Sequence, residues 1–196
     1  MLLSPRFTAA LAYAAELHRE QERKVSGVPY IGHLLRVAGI VLEYGGSEDE
    51  AIAALLHDAV EDQGGTPVLE EIRRRFGEAV AETVLGCSDT QARPKPPWQQ
   101  RKQAHVDHVR AASRSVRMVV AADKLDNARS LVSEYRIRGE SLWRFFHGGR
   151  SGTLWYYDAM LAVLKDAGVT TLVEELERTV AEMRRIVDEG NLRSEI

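Results

Sequence analysis

Ten consecutive residues, Ala53-Ala54-Leu55-Leu56-His57-Asp58-Ala59-Val60-Glu61-Asp62, set an apolar run directly against four metal-binding or acid–base side chains. His57 and Glu61 are four apart, as are Asp58 and Asp62, so on one continuous helix each pair shares a face. Ile52, Leu55, Leu56, Ala59 and Val60 supply the buried remainder. Charged side chains are seldom buried unless they are paired or bind a metal. Adjacent His-Asp offers one ion a neutral nitrogen and an anionic oxygen from a single turn. Taken alone the dipeptide is common, and the exposed polar face of an ordinary amphipathic helix is then the better reading.

The remainder of the chain punctuates itself into further helices. Apolar spacing predicts a helix from Pro5 to about Arg23 and a loop over Lys24–Val28. A second helix restarts at Pro29, with Tyr30, Leu34, Val37, Ala38, Val41 and Leu42 on its stripe and His33 bordering the core. After Gly45-Gly46, Ser47 with Glu50 forms a capping-box pattern that opens the His57 helix, which Gln63-Gly64-Gly65 closes. Thr66-Pro67 starts another helix and Gly77 ends it, and Ala79–Leu85 makes a short one. Three prolines between Asp89 and Pro97 mark an exposed loop. Trp98–Ala112 is polar and basic. Ser115–Leu131 is helical, and its Asp123 follows the apolar run Met118–Ala122, so that acid needs a partner. A final helix spans about 171–188, and its apolar side either covers the core or forms a contact in a homo-oligomer. No segment alternates as a strand does and no internal repeat occurs. The expectation is an all-α fold, one helical bundle over residues 1–196 with a motif-bearing core of about 7–164.

Charge and cysteine content narrow the function classes. A net charge of −3 excludes a general nucleic-acid-binding surface. The one cysteine, Cys87, excludes an internal disulfide and fits a reducing compartment. Apolar runs of only a few residues predict no membrane span. The first residues lack a charged segment followed by an apolar one, so no signal peptide is expected. These features point to a cytoplasmic protein with neither nucleic acid nor membrane as partner.

Three separate helices thus carry residues awkward in a core: His33, His57-Asp58 and Asp123. Two imidazoles and two carboxylates suit a divalent transition ion such as Mn²⁺, with open positions for water and a phosphate oxygen.

Four blocks in order extend this pattern: His18-Arg19-Glu20-Gln21-Glu22-Arg23-Lys24, Pro29-Tyr30-Ile31-Gly32-His33, Leu55–Asp62, and Ala122-Asp123-Lys124-Leu125-Asp126-Asn127-Ala128-Arg129. Over about Phe7 to Leu164 the chain resembles the HD-domain phosphohydrolases, specifically the hydrolase domain of the RelA/SpoT alarmone enzymes and their stand-alone small alarmone hydrolases. The resemblance implies that His33, His57, Asp58 and Asp123 are metal ligands. It implies that Glu61 and Asp62 handle the attacking water and proton transfer. Arg23, Lys24, Asn127 and Ser130 match positions that hold the nucleotide. Read as bare residues, Glu61-Asp62 is equally a solvated helix end and Arg23-Lys24 an ordinary surface pair. Arg101, Lys102, Lys124 and Arg129 are further cations suited to an anionic substrate, while His18 reads as packing.

Two departures stand out. The loop Lys24–Pro29 is one residue longer than in the long bifunctional enzymes, which bears on base specificity. Asp126 replaces the histidine that commonly precedes the asparagine there, and nothing in the sequence assigns it a role. The activity implied is metal-dependent removal of the 3′-diphosphate from guanosine tetra- or pentaphosphate. The alternatives are a phosphatase on a related nucleotide (the 2′-phosphate of NADPH, or a deoxynucleotide) and a nucleotide-binding protein without turnover.

Overall fold

Local capping signals set where the chain turns. The Ser4 hydroxyl accepts the Arg6 amide and Pro5 occupies the first turn, starting α1 (Pro5–Leu17). The computed structural model describes residues 2–90, 94–165 and 170–194. There the chain continues through α2 (Ile31–Glu43), α3 (Glu48–Leu56), α4 (Ala59–Gln63), α5 (Thr66–Phe76) and α6 (Glu78–Cys87). It goes on to α7 (Trp98–Ala111), α8 (Arg114–Arg138), a 3₁₀ segment (Gly139–Phe145), α9 (Gly149–Leu164) and α10 (Thr170–Ser194). The fold is all-α, as expected; the described residues hold one isolated β-bridge, Glu22 with Pro29.

Helix α3 is the centre of the packing. Ser47 and Glu50 form the reciprocal capping box that starts it. Every residue from Ala51 to Leu56 is fully buried. Alanines at 51, 53 and 54 let α1, α2, α6 and α8 approach closely around it. Cutting Leu55 or Leu56 back to alanine in such a site costs about 2–5 kcal/mol. Helix α8 runs along one side and α10 lies against α8 and α9, with Leu172, Leu176, Val180, Met183 and Val187 buried. The apolar side of the last helix therefore covers the core, and the helix is longer than the expected 171–188.

The structure departs from the sequence reading at two places that matter for the site. Helix α1 stops at Leu17, not near Arg23. His18 is buried and its Nδ1–H donates to Gln21 Oε1 at 2.7 Å, so the chain turns inward there. Residues 21–30 then close on themselves: the Arg23 amide donates to Val28, and the Tyr30 amide to Gln21. The second departure is at His57-Asp58, where the expected single helix breaks into α3 and α4. The His57 Nδ1–H donates to the Ala54 carbonyl at 2.8 Å. That carbonyl is the group that would accept the Asp58 amide if the helix continued, so the His57-Asp58 dipeptide itself interrupts the ladder. Helix α8 also continues past Leu131 to Arg138. Asp89, expected in an exposed loop, has a buried carboxylate held by Arg101 and Lys102. Among the described residues no helix is long and apolar enough to cross a membrane.

Candidate metal centre and adjoining cleft

Helices α2, α3–α4 and α8 deliver His33, His57-Asp58 and Asp123 to one point. Ligand atoms of His33, His57 and Asp58 lie within 4.8 Å of one another. Asp123 Oδ1 joins them, 3.2 Å from His33 Nε2 and 3.6 Å from His57 Nε2. Both histidines are almost fully buried, and neither Nε2 has a hydrogen-bond partner. Asp58 Oδ2 stands 2.9 Å from His57 Nε2 and accepts the Tyr30 hydroxyl at 2.5 Å.

The proton bookkeeping of this cluster tests whether a cation belongs in it. His57 Nδ1–H is committed to the Ala54 carbonyl, and His33 Nδ1–H donates to Asp126 at 2.6 Å. In the neutral rings each Nε2 is then a lone pair, and both lone pairs face carboxylate oxygens. Such an arrangement repels itself unless a proton or a cation sits among the four groups. Burial lowers the proton affinity of His57, but the Asp58 and Asp123 carboxylates more than reverse this and hold its pKa well above the usual range. Burial would raise Asp123; the Lys124 ammonium and the two histidines instead hold it well below the usual carboxylate range. Five carboxylates line the pocket here, Asp58, Glu61, Asp62, Asp89 and Asp123, against three cations, Arg101, Lys102 and Lys124. The donor set and the charge balance both fit a divalent ion.

Both acids are hydrogen-bonded, Glu61 half-buried and Asp62 exposed. Glu61 accepts Lys95 Nζ at 2.7 Å and the Asp89 amide at 3.2 Å. Asp62 accepts Gln21 Nε2 at 2.8 Å, and Gln21 is itself bonded by Gln63. Partial desolvation and the nearby Asp58 charge raise the Asp62 carboxyl above its ordinary value. Both acids lie in the first turn of α4 and line the same pocket of about 230 Å³ as His57, Asp58 and Asp123.

A second cleft of about 580 Å³ adjoins it, sharing Tyr30, Arg101, Lys102, Lys124, Asn127 and Tyr156 as walls. Arg23, Lys24, Asn127 and Ser130 all line this cleft, so the structure brings the four together. Arg23 and Asn127 touch directly, Lys24 is exposed at the rim, and Ser130 is half-buried. The far wall is aromatic, with Trp98, Phe145, Phe146 and Tyr157. Gly148 lets Trp98 lie flat there: a Cβ on Gly148 would meet the indole at 2.5 Å.

Sequence reasoning missed several wall residues. Tyr30 reads from the sequence as part of an apolar stripe, although its position three before His33 puts both on one face. Tyr156 carries a buried hydroxyl without a partner and stacks under Lys102 and Lys124, at 4.8 Å and 5.4 Å. His105 is buried, with burial and the Lys124 and Lys102 charges pushing its imidazole down to about 3. No spacing singles these out, because α7 and α9 meet α8 only through tertiary packing. Cys87 lines the pocket too, and burial and the Asp123 and Asp58 charges push its thiol up, which disfavours the thiolate.

Comparison with known proteins agrees with the geometry. The family described as HD domain matches residues 10–152. The guanosine-3′,5′-bis(diphosphate) 3′-pyrophosphohydrolase MESH1 of Xenopus tropicalis is 42% identical over 125 residues, covering 62% of this chain and 67% of that protein. The enzyme of the same activity from Aquifex aeolicus is 38% identical over 122 residues, 62% of this chain but only 17% of its own length. A solved structure described as a metazoan ortholog of SpoT that hydrolyzes ppGpp superposes with a TM-score of 0.63 at 27% identity. That superposition covers 99% of this chain and 98% of the other.

Proposed function

The chain belongs to the HD-domain family, and from that premise we propose that it hydrolyses the 3′-diphosphate of guanosine 3′,5′-bis(diphosphate) with Mn²⁺ as its divalent ion. The observation that carries this reading is the meeting of two imidazole lone pairs and two carboxylates beside a cation-lined cleft. The named activity of the relatives supports the substrate class. The residues are read as one hydrolase unit working in the cytoplasm, which the lone cysteine and the nucleotide substrate both suit.

His33, His57, Asp58 and Asp123 would hold the ion, which when bound would polarise a phosphoryl oxygen and acidify a water. The remaining steps belong to the chain. Glu61 takes a proton from the attacking water, whose oxygen bonds to the phosphorus next to the 3′-oxygen. The bond from that phosphorus to the 3′-oxygen breaks, and Asp62, with its raised affinity, carries a proton to the departing 3′-oxygen. Free diphosphate and a 3′-hydroxyl result, the nucleotide being GDP from the tetraphosphate and GTP where the substrate is the pentaphosphate. Arg101, Lys102 and Lys124 neutralise the diphosphate. Arg23, with Lys24, Asn127 and Ser130, holds the nucleoside portion, since a guanidinium both forks onto phosphate and stacks on a base.

A product assay tests this reading. Purified protein with Mn²⁺ is given guanosine tetraphosphate, NADPH and a deoxynucleoside triphosphate. Diphosphate and GDP from the first is the expected outcome. Inorganic phosphate from NADPH alone, or binding with no turnover of any of the three, overturns it.

A further inference from the structure

Asp126 takes no part in the chemistry above, yet it is 2% exposed inside α8. A carboxylate so placed needs partners. Its Oδ2 accepts His33 Nδ1–H at 2.6 Å, and Arg36 donates Nε to Oδ1 at 2.5 Å and a terminal nitrogen to Oδ2 at 3.2 Å. His33 and Arg36 are three apart on α2 and present one face to α8. The same ring that gives its Nδ1–H to Asp126 turns its unpartnered Nε2 toward Asp123 and Asp58, at 3.2 Å and 3.8 Å.

We infer that Asp126 is the positioning residue for His33: it fixes the Nδ1–H tautomer, aims Nε2 at the ion, and is itself held by Arg36. A carboxylate on the far nitrogen makes an imidazole a stronger ligand, and loss of such a partner typically weakens metal affinity about 10–100-fold. Three features tie the arrangement to ligation rather than to packing. The bond is to Nδ1 alone, the opposite nitrogen has no protein partner, and Arg36 spends a half-exposed guanidinium on a buried acid instead of on solvent.

The inference rests on His33 being a ligand of the ion, and the experiment separates the two. Metal-free wild type and Asp126→Asn are titrated with Mn²⁺ by calorimetry, with melting temperatures recorded on the same samples. Wild type should bind, and the near-isosteric Asp126→Asn should bind about 10–100-fold more weakly. Raising Mn²⁺ should restore its kcat, with KM unchanged. Equal affinity in the two proteins overturns the tether and leaves the metal site standing, whereas no binding by wild type overturns both. A kcat loss that excess Mn²⁺ does not restore assigns Asp126 a merely structural role and also overturns it. Nitrogen-15 spectra of Zn²⁺-loaded wild type supply a measurement that needs no variant. His33 should carry its proton on Nδ1, and a metal-bound Nδ1 contradicts the assignment.

Discussion

Arg23 and Asn127, separated by 104 positions, meet directly: an Arg23 terminal nitrogen donates to Asn127 Oδ1 at 2.8 Å. Asn127 passes the contact inward, its Nδ2 donating to Asp123 Oδ1 at 2.5 Å. The inturned loop, the cleft and the proposed metal site are thus one hydrogen-bonded chain.

This linkage makes the two alanine variants different. Arg23→Ala should raise KM for the nucleotide while Mn²⁺ affinity stays at the wild-type value. Asn127→Ala should raise KM and also weaken Mn²⁺ binding, because Asp123 loses a donor. Since the residues share a bond, their effects on kcat/KM should be non-additive by about 0.5–3 kcal/mol. Additive effects in the double variant would show that the contact carries no energy.

His57→Ala should abolish metal binding. Elemental analysis of wild type should find about one divalent ion per chain, and saturating Mn²⁺ at 100 times Kd should stabilise wild type by about 2.7 kcal/mol. The variant should show neither. Equal metal content in both proteins would remove the site.

Glu61→Gln and Asp62→Asn keep size and most hydrogen-bonding capacity while losing basicity. Each should bind metal normally and lose about 10²–10⁴ in kcat, with KM little changed. Lys95→Ala, which frees Glu61 on one side, should cost far less. Near-normal turnover in both acid variants would dismiss the proton-transfer roles.

His105 gives a pH dependence of stability. Its folded pKa is pushed down to about 3 by burial, Lys124 and Lys102, whereas an unfolded histidine titrates near 6.5. The folded value is the lower one, so the unfolded chain takes up the proton first. The contribution to stability is intact above pH 6.5 and is lost as pH falls from there toward 3, by about 1.4 kcal/mol per unit. Between pH 7.5 and 5.5, His105→Gln should lose about 1.4 kcal/mol less than wild type in urea unfolding. Parallel losses would place His105 in contact with water.

Helix positions and the identity of the unusual core residues were legible without coordinates because each depends on local rules. Ser47 with Glu50 announced α3, and the structure shows both halves of that capping box. His33, His57, Asp58 and Asp123 stood out because a polar group in an apolar stripe must find a partner wherever the fold puts it. The breaks were not legible. Nothing local distinguishes a helix that continues through His57-Asp58 from one in which the imidazole captures the Ala54 carbonyl.

Residue type and period alone determined an all-α chain and the inventory of its candidate metal-ligating and acidic side chains, since helical spacing and the cost of burying charge act over a few residues. Tertiary structure decided how those residues are paired. Asp126 acquires a purpose only when α8 is laid against α2, and Glu61 is fastened only when Lys95 and Asp89 arrive from the loop beyond α6. Tyr156 and His105 reach the pocket only because α9 packs on α7 beside α8. Those contacts join residues tens of positions apart, and the packing that brings them together is summed over the whole core, so no single stretch of sequence contains it.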